Sequence, residues 1–240
     1  MTVDVNTRFD PNIHGFGFQN RFRGGDVVSE LGRQGRLTEL TGLEVPRALI
    51  GLTDLAAGED FWGIFGLCGG MSWAALDRFR REEQPGADHS IPGPDQETFR
   101  ELVARQADSL RGRSIMERCL LWQMLPDRAP WWMIWSKGVG RITVEQEWPK
   151  LRVALDDGEP TGLVLVRARG VTNPSENHQV VAVGYQVTDS GNVEIRLYDP
   201  NHPRRRSFFP LQPSSRSVGP RQSTGEPIRG FFVSSPDRAT

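Results

Sequence analysis

The chain has 240 residues, with 29 Lys plus Arg against 30 Asp plus Glu, a formal net charge of -1, 37% hydrophobic residues and two cysteines. So even a balance offers no global field for nucleic acid or an anionic membrane, and two thiols are too few for a disulfide scaffold. Seven Trp and twelve Phe argue for a packed core rather than disorder, and the length suits a single domain over 1–240.

The residue pattern divides that domain into an irregular segment 1–60, a mainly helical part 61–157 and a mainly β part 158–240. In 1–60 the apolar residues keep neither a 2 nor a 3.6 period for long, which predicts loops with short elements. The opening lacks a basic start followed by an apolar run, and no stretch approaches ~18 apolar residues, so neither a secretory signal nor a membrane span is expected. The matching expectation is a reducing, cytoplasmic setting with both thiols free.

Leu67, Met71, Ala74, Ala75 and Phe79 keep helical spacing, which predicts a helix from near Cys68 to about Arg81. Pro85, Pro92 and Pro94 make 84–95 a loop. Phe99, Leu102, Val103, Gln106 and Leu110 then set a second helix with acidic residues in its first turn, and a third is expected over about Ser114–Leu125. After the aromatic run Trp131–Trp135, Thr143-Val-Glu-Gln146 fits a capping box opening a helix over Val144–Leu155, with Pro149 limiting its regularity. From there β-branched residues at period 2 read as strands: Leu163–Arg169, His178–Val187, Val193–Tyr198, Arg206–Pro210 and Ile228–Val233. Residues 203–227, rich in Pro, Ser and Arg, read as a surface loop. Helices first and antiparallel strands second define an α+β class.

Cys68 lies where a Gly-rich turn enters a helix. There the unpaired N–H groups and the positive end of the dipole favour thiolate over thiol. Gly69 and Gly70 are poor helix formers, and they suggest close backbone approach by a substrate or a neighbouring strand, or close packing alone. If the hairpin after His178 folds about residue 190, position 178 falls opposite 201 or 202, with Asp199 on the diagonal. Imidazole and carboxylate can therefore meet, and the order Cys, His, Asp or Asn supplies nucleophile, base and orienter.

Gly66-Leu-Cys-Gly-Gly-Met-Ser-Trp-Ala-Ala75, His178-Gln-Val-Val-Ala-Val-Gly-Tyr185 and Leu197-Tyr-Asp-Pro-Asn201 together resemble the papain-like cysteine peptidase superfamily, in the style of bacterial members that also end the strand after the His strand in Asp-Pro. The resemblance covers these patches and the order of elements. It implies a helical part carrying the Cys, an antiparallel sheet carrying the His and Asp, and a cleft between them. Carried over, Cys68 would be the nucleophile, His178 the base and Asp199 the orienter, with Asn201 as the fallback in that third role. The family's oxyanion-binding Gln, about six residues before the Cys, is replaced by Trp62. Gln19 or Asn20 from the N-terminal loop is the candidate second donor beside the Cys68 backbone N–H.

The implied activity is a thiol-dependent hydrolase, protease or amidase, acting on a protein, peptide or amide through an acyl-enzyme. The alternatives are a non-catalytic binding or regulatory module, a transglutaminase-like acyl transferase, or an effector using the same chemistry. No cofactor and no metal are expected: Cys68 and Cys119 lack zinc spacing, and His14, His89 and His202 are scattered. Gly15-Phe-Gly17 and Gly138-Val-Gly140 lack the strand-turn-helix context of a phosphate loop. Arg204-Arg-Arg206 reads as a solvated face, Trp131, Trp132 and Trp135 as core or cleft wall, and Cys119 as an inert core thiol.

Overall fold

A computed structural model describes residues 2–36, 66–85, 89–111, 113–127, 137–170, 176–219 and 221–234. Its centre is an antiparallel sheet of β2 (Thr161–Val166), β3 (His178–Val187), β4 (Val193–Tyr198), β5 (Ser207–Gln212), β6 (Ser217–Val218) and β7 (Gly230–Val233). The order is β6-β5-β4-β3-β2-β7, and β1 (Val3–Asn6) pairs with the far half of β3. The class is therefore α+β, as the segregation of periods predicted.

Both faces of the sheet are covered, because β3 is buried continuously from His178 to Tyr185. Val181 and Val183 face a core shared with Leu67, Met71, Leu76, Phe99 and Leu102, from α3 (Cys68–Arg80) with its entry turn and α4 (Glu97–Arg111). Val180 and Ala182 face the opposite core, with Trp148, Leu151 and Leu155 of α6 (139–156). A smaller cluster places Cys119 and Trp122 of α5 (Arg113–Met124) on Val164, Val166 and Phe232. Burying a large apolar side chain fully is worth about 1.5–3 kcal/mol, so these layers hold α3 and β3 in fixed contact.

Several expectations need correction. The short elements expected in 1–60 are, among the described residues, β1, α1 (Pro11–His14) and the longer α2 (Gly24–Arg33), in which Val27, Val28 and Leu31 form a buried stripe too brief to stand out among glycines and charges. The capping box does not form. Helix α6 already begins with Val139–Ile142 and passes through a π-turn at Thr143–Glu147 into Trp148–Asp156. Pro149 has no N–H for the ladder, which explains the wider turn, while the Thr143 hydroxyl bonds the backbone of Phe231 instead of capping. Within 203–227 the strand expected at Arg206–Pro210 is β5, and the stretch read as surface loop also holds β6. The aromatic run at 131–135 and Trp62 lie outside the described residues.

Candidate active site

Three elements distant in sequence meet at one end of the sheet: the start of α3, the start of β3 and the residue following β4. The β3–β4 hairpin pairs Val187 with Val193 and, after a bulge between Ala182 and Gly184, Val181 with Tyr198. Continuing that register sets Asp199 opposite Val180, one diagonal step from His178 and on its face. His178 Nε2 lies 2.7 Å from Asp199 Oδ1, and both side chains are almost completely buried.

The same imidazole interacts electrostatically with the Cys68 sulfur, which is half-buried at the first position of α3. Burial pushes the thiol up, but hydrogen bonding and charge from His178, together with the N–H groups of Gln179 and Gly69, outweigh it and hold Cys68 below its ordinary value. Burial would lower His178, yet the Asp199 charge and hydrogen bond, with Cys68, raise it to about 9. Asp199 is desolvated, but His178, Gln222 and the Asn201 N–H keep its carboxyl well below the usual range. These shifts all favour a thiolate beside an imidazolium, with a carboxylate behind it.

Asp199 is itself anchored. Its Oδ1 accepts the Asn201 N–H at 2.9 Å, and its Oδ2 accepts Gln222 Nε2 at 2.5 Å. Gln222 is 2% exposed, and its Oε1 accepts Arg167 Nη2 at 2.9 Å. Sequence reading missed both residues. Gln222 stands in a stretch that reads as surface loop, and only folding of 221–227 back toward β5 brings it to Asp199.

The glycines after Cys68 are explained by packing. A Cβ on Gly70 would stand 2.2 Å from the Leu102 carbonyl oxygen of α4, and one on Gly69 would strike the Ser109 hydroxyl and the Gln179 amide. The Gly70 N–H is taken by Gln106 Oε1 at 2.8 Å.

Asn20 reaches the site and Gln19 does not. Asn20 Oδ1 accepts the Leu67 N–H at 2.8 Å, and its Nδ2 donates to Asn201 Oδ1 at 3.0 Å, so one amide ties the helix start to the segment after Asp199. Asn201 is thereby excluded as orienter. Its side chain faces Asn20, and only its backbone N–H supports the carboxylate. Among the described residues the Gln19 side-chain amide takes no part in this network, and the Gln19 backbone carbonyl accepts the Arg21 N–H. The helix geometry leaves the Cys68 N–H without an intrahelical acceptor.

Arg167 joins the site to a cavity of about 550 Å³ whose lining includes Asp127, Arg169, Glu176, Arg216 and Arg229; Cys68, His178 and Asp199 do not line it. Burial lowers the Arg167 guanidinium from its ordinary value, while the charges of Asp199, Glu226 and Cys68 pull it back up. Cys119, in the core against Trp122, is pushed up to about 12 by burial and by the Cys68 charge. His14 accepts the Asp10 N–H, His89 meets Arg204 and His202 pairs with Glu226. Among the described residues no group of three or more His, Cys, Asp or Glu is placed to hold a metal ion, and no helix is long and apolar enough to cross a membrane. In comparisons with known proteins, no family model, curated protein or solved structure matches the chain.

Proposed function

We propose that this chain is a thiol-dependent hydrolase of papain-like type that cleaves an amide in a protein or peptide substrate. The observation that carries the reading is the single buried imidazole held 2.7 Å from the Asp199 carboxylate and in electrostatic contact with the Cys68 sulfur. A structural histidine needs one partner; this one spans a helix-start thiol and a desolvated carboxylate.

In the proposed cycle the Cys68 thiolate attacks the substrate carbonyl carbon and forms the carbon–sulfur bond. His178, through Nδ1, the nitrogen Asp199 does not hold, gives its proton to the leaving nitrogen as the carbon–nitrogen bond breaks. Water then loses a proton to His178 and attacks the thioester, which releases the acid and restores the thiolate. Asp199 holds the ring and balances its charge throughout. The Cys68 N–H and the second hydrogen of Asn20 Nδ2, whose first goes to Asn201, are the donors assigned to the developing oxyanion, in the role for which position 62 holds Trp rather than an amide.

The test is covalent trapping with a peptidyl vinyl sulfone, mapped by peptide mass spectrometry, beside release of fluorophore from an acyl-aminocoumarin panel. The expected outcome is one adduct on Cys68, lost in His178→Ala, with turnover abolished by Cys68→Ala. A folded protein that forms no adduct on Cys68 overturns the reading and leaves a binding module. Product analysis with an added primary amine separates hydrolysis from acyl transfer.

A further inference from the structure

A second concave site lies away from Cys68. Arg204, Arg205 and Arg206, adjacent in sequence, line a groove of about 470 Å³ together with Arg8 and with Arg196 of β4. Five guanidinium-bearing residues thus line one concavity whose only acidic lining residue is Asp10, and the Asp10 carboxylate already accepts two hydrogen bonds from Asn12. Arg196 pairs with Asp4 and Asn6, and Arg206 with Glu194. Arg204 meets the His89 ring. Among the described residues, neither the Arg8 nor the Arg205 guanidinium meets a carboxylate, and both side chains are exposed. At the bulge the Val183 carbonyl accepts the N–H and the hydroxyl of Thr7, which ties the chain after β1 to β3 within the groove lining.

We infer that this groove binds an acidic segment of a polypeptide. Guanidinium forks match carboxylates in pairs, and the volume exceeds what one small anion fills. Asn6, Thr7, Asn12 and Ser207 add hydrogen-bonding groups at backbone scale. A nucleic acid fits less well. The one aromatic residue in the lining, Phe9, is 3% exposed and gives no face for base stacking, and the chain's overall charge of -1 provides no long-range attraction for a polyanion. The inference concerns recognition alone and does not rest on turnover at Cys68.

The test is fluorescence anisotropy of a labelled hexaglutamate peptide titrated with the full chain, with hexalysine and a short single-stranded oligonucleotide as the other arms. The expected result is saturable binding of hexaglutamate only, weakened at least about tenfold between ~50 mM and ~300 mM salt. Arg204→Glu with Arg205→Glu weakens it at least ~tenfold, Arg8→Glu alone a few-fold, and Arg141→Glu on α6 leaves it unchanged. Circular dichroism melts confirm that each variant is folded, and the Arg8 variant decides the matter if the double variant is not. Absence of hexaglutamate binding, binding indifferent to these arginines, or tighter binding of the oligonucleotide overturns the inference.

Discussion

Cys68 and Cys119 carry the same side chain on two helices of one protein, and their surroundings drive them in opposite directions. Cys68 opens α3, where the sulfur meets an imidazole and two backbone N–H groups, and its thiol is held down. Cys119 sits inside α5 against Trp122, Val164, Val166 and Phe232, where burial and the Cys68 charge outweigh the Arg118 charge and the thiol rises to about 12. Burial raises both. What separates them is whether oriented donors and a counter-charge compensate for lost water, and that compensation is the feature expected of a nucleophile.

The largest expected effect is on alkylation. Iodoacetamide at pH 7 should modify Cys68 at least ~100-fold faster than Cys119, resolved by peptide mass spectrometry, because rate follows the thiolate fraction. Equal rates would erase the contrast between the two helices. His178→Ala should slow Cys68 at least ~tenfold and leave Cys119 unchanged.

The pH profile sharpens the same comparison. Cys68, lowered from 9.0, contributes stability above its unfolded value and loses it as pH falls through the lower folded value. His178, raised from 6.5 to about 9, contributes fully below about 6.5 and loses that contribution as pH rises through about 9. The ion pair therefore occupies a window bounded above by about 9 and below by the lowered Cys68 value, within which Cys68 reactivity should be flat. Cys119 reactivity should rise about tenfold per pH unit toward about 12. A Cys68 profile parallel to that of Cys119 would remove the ion pair.

Next in size are the groups behind the imidazole. Asp199→Asn should slow Cys68 alkylation about tenfold, and Gln222→Ala about threefold with a shift of the upper limb of the pH profile toward lower pH, since a less firmly held carboxylate supports less charge on His178. A Gln222 variant with altered melting and an unmoved profile would assign that residue to packing alone. The smallest effects on the site concern stability. Gly70→Ala should cost about 2 kcal/mol in urea unfolding, because the new methyl meets the Leu102 backbone, and Asn20→Ala about 1 kcal/mol through loss of the Leu67 N–H cap.

Much of this site was legible in the residues. Cys68 at a helix start followed from Gly-rich residues giving way to a 3.6 period, and the diagonal from His178 to Asp199 followed from hairpin arithmetic that the bulge altered by one residue. Asn20 was one of two N-terminal candidates. Arg167 and Gln222 were not legible, because a single Gln in a turn-rich stretch has no period, and α2 was hidden because its apolar stripe spans only three residues.

The sequence by itself determined the class, the elements that bear Cys68 and His178, and the local twofold and 3.6-fold patterns that orient them, since those depend on neighbours within a few residues. Tertiary structure alone decided which of Asp199 and Asn201 faces the imidazole, that Gly69 and Gly70 serve α4 and β3, and that Arg8 and Arg196 join the run at 204–206. Those choices rest on contacts between residues separated by tens to nearly two hundred positions. Packing two cores against one sheet sets their distances, and no local pattern encodes them.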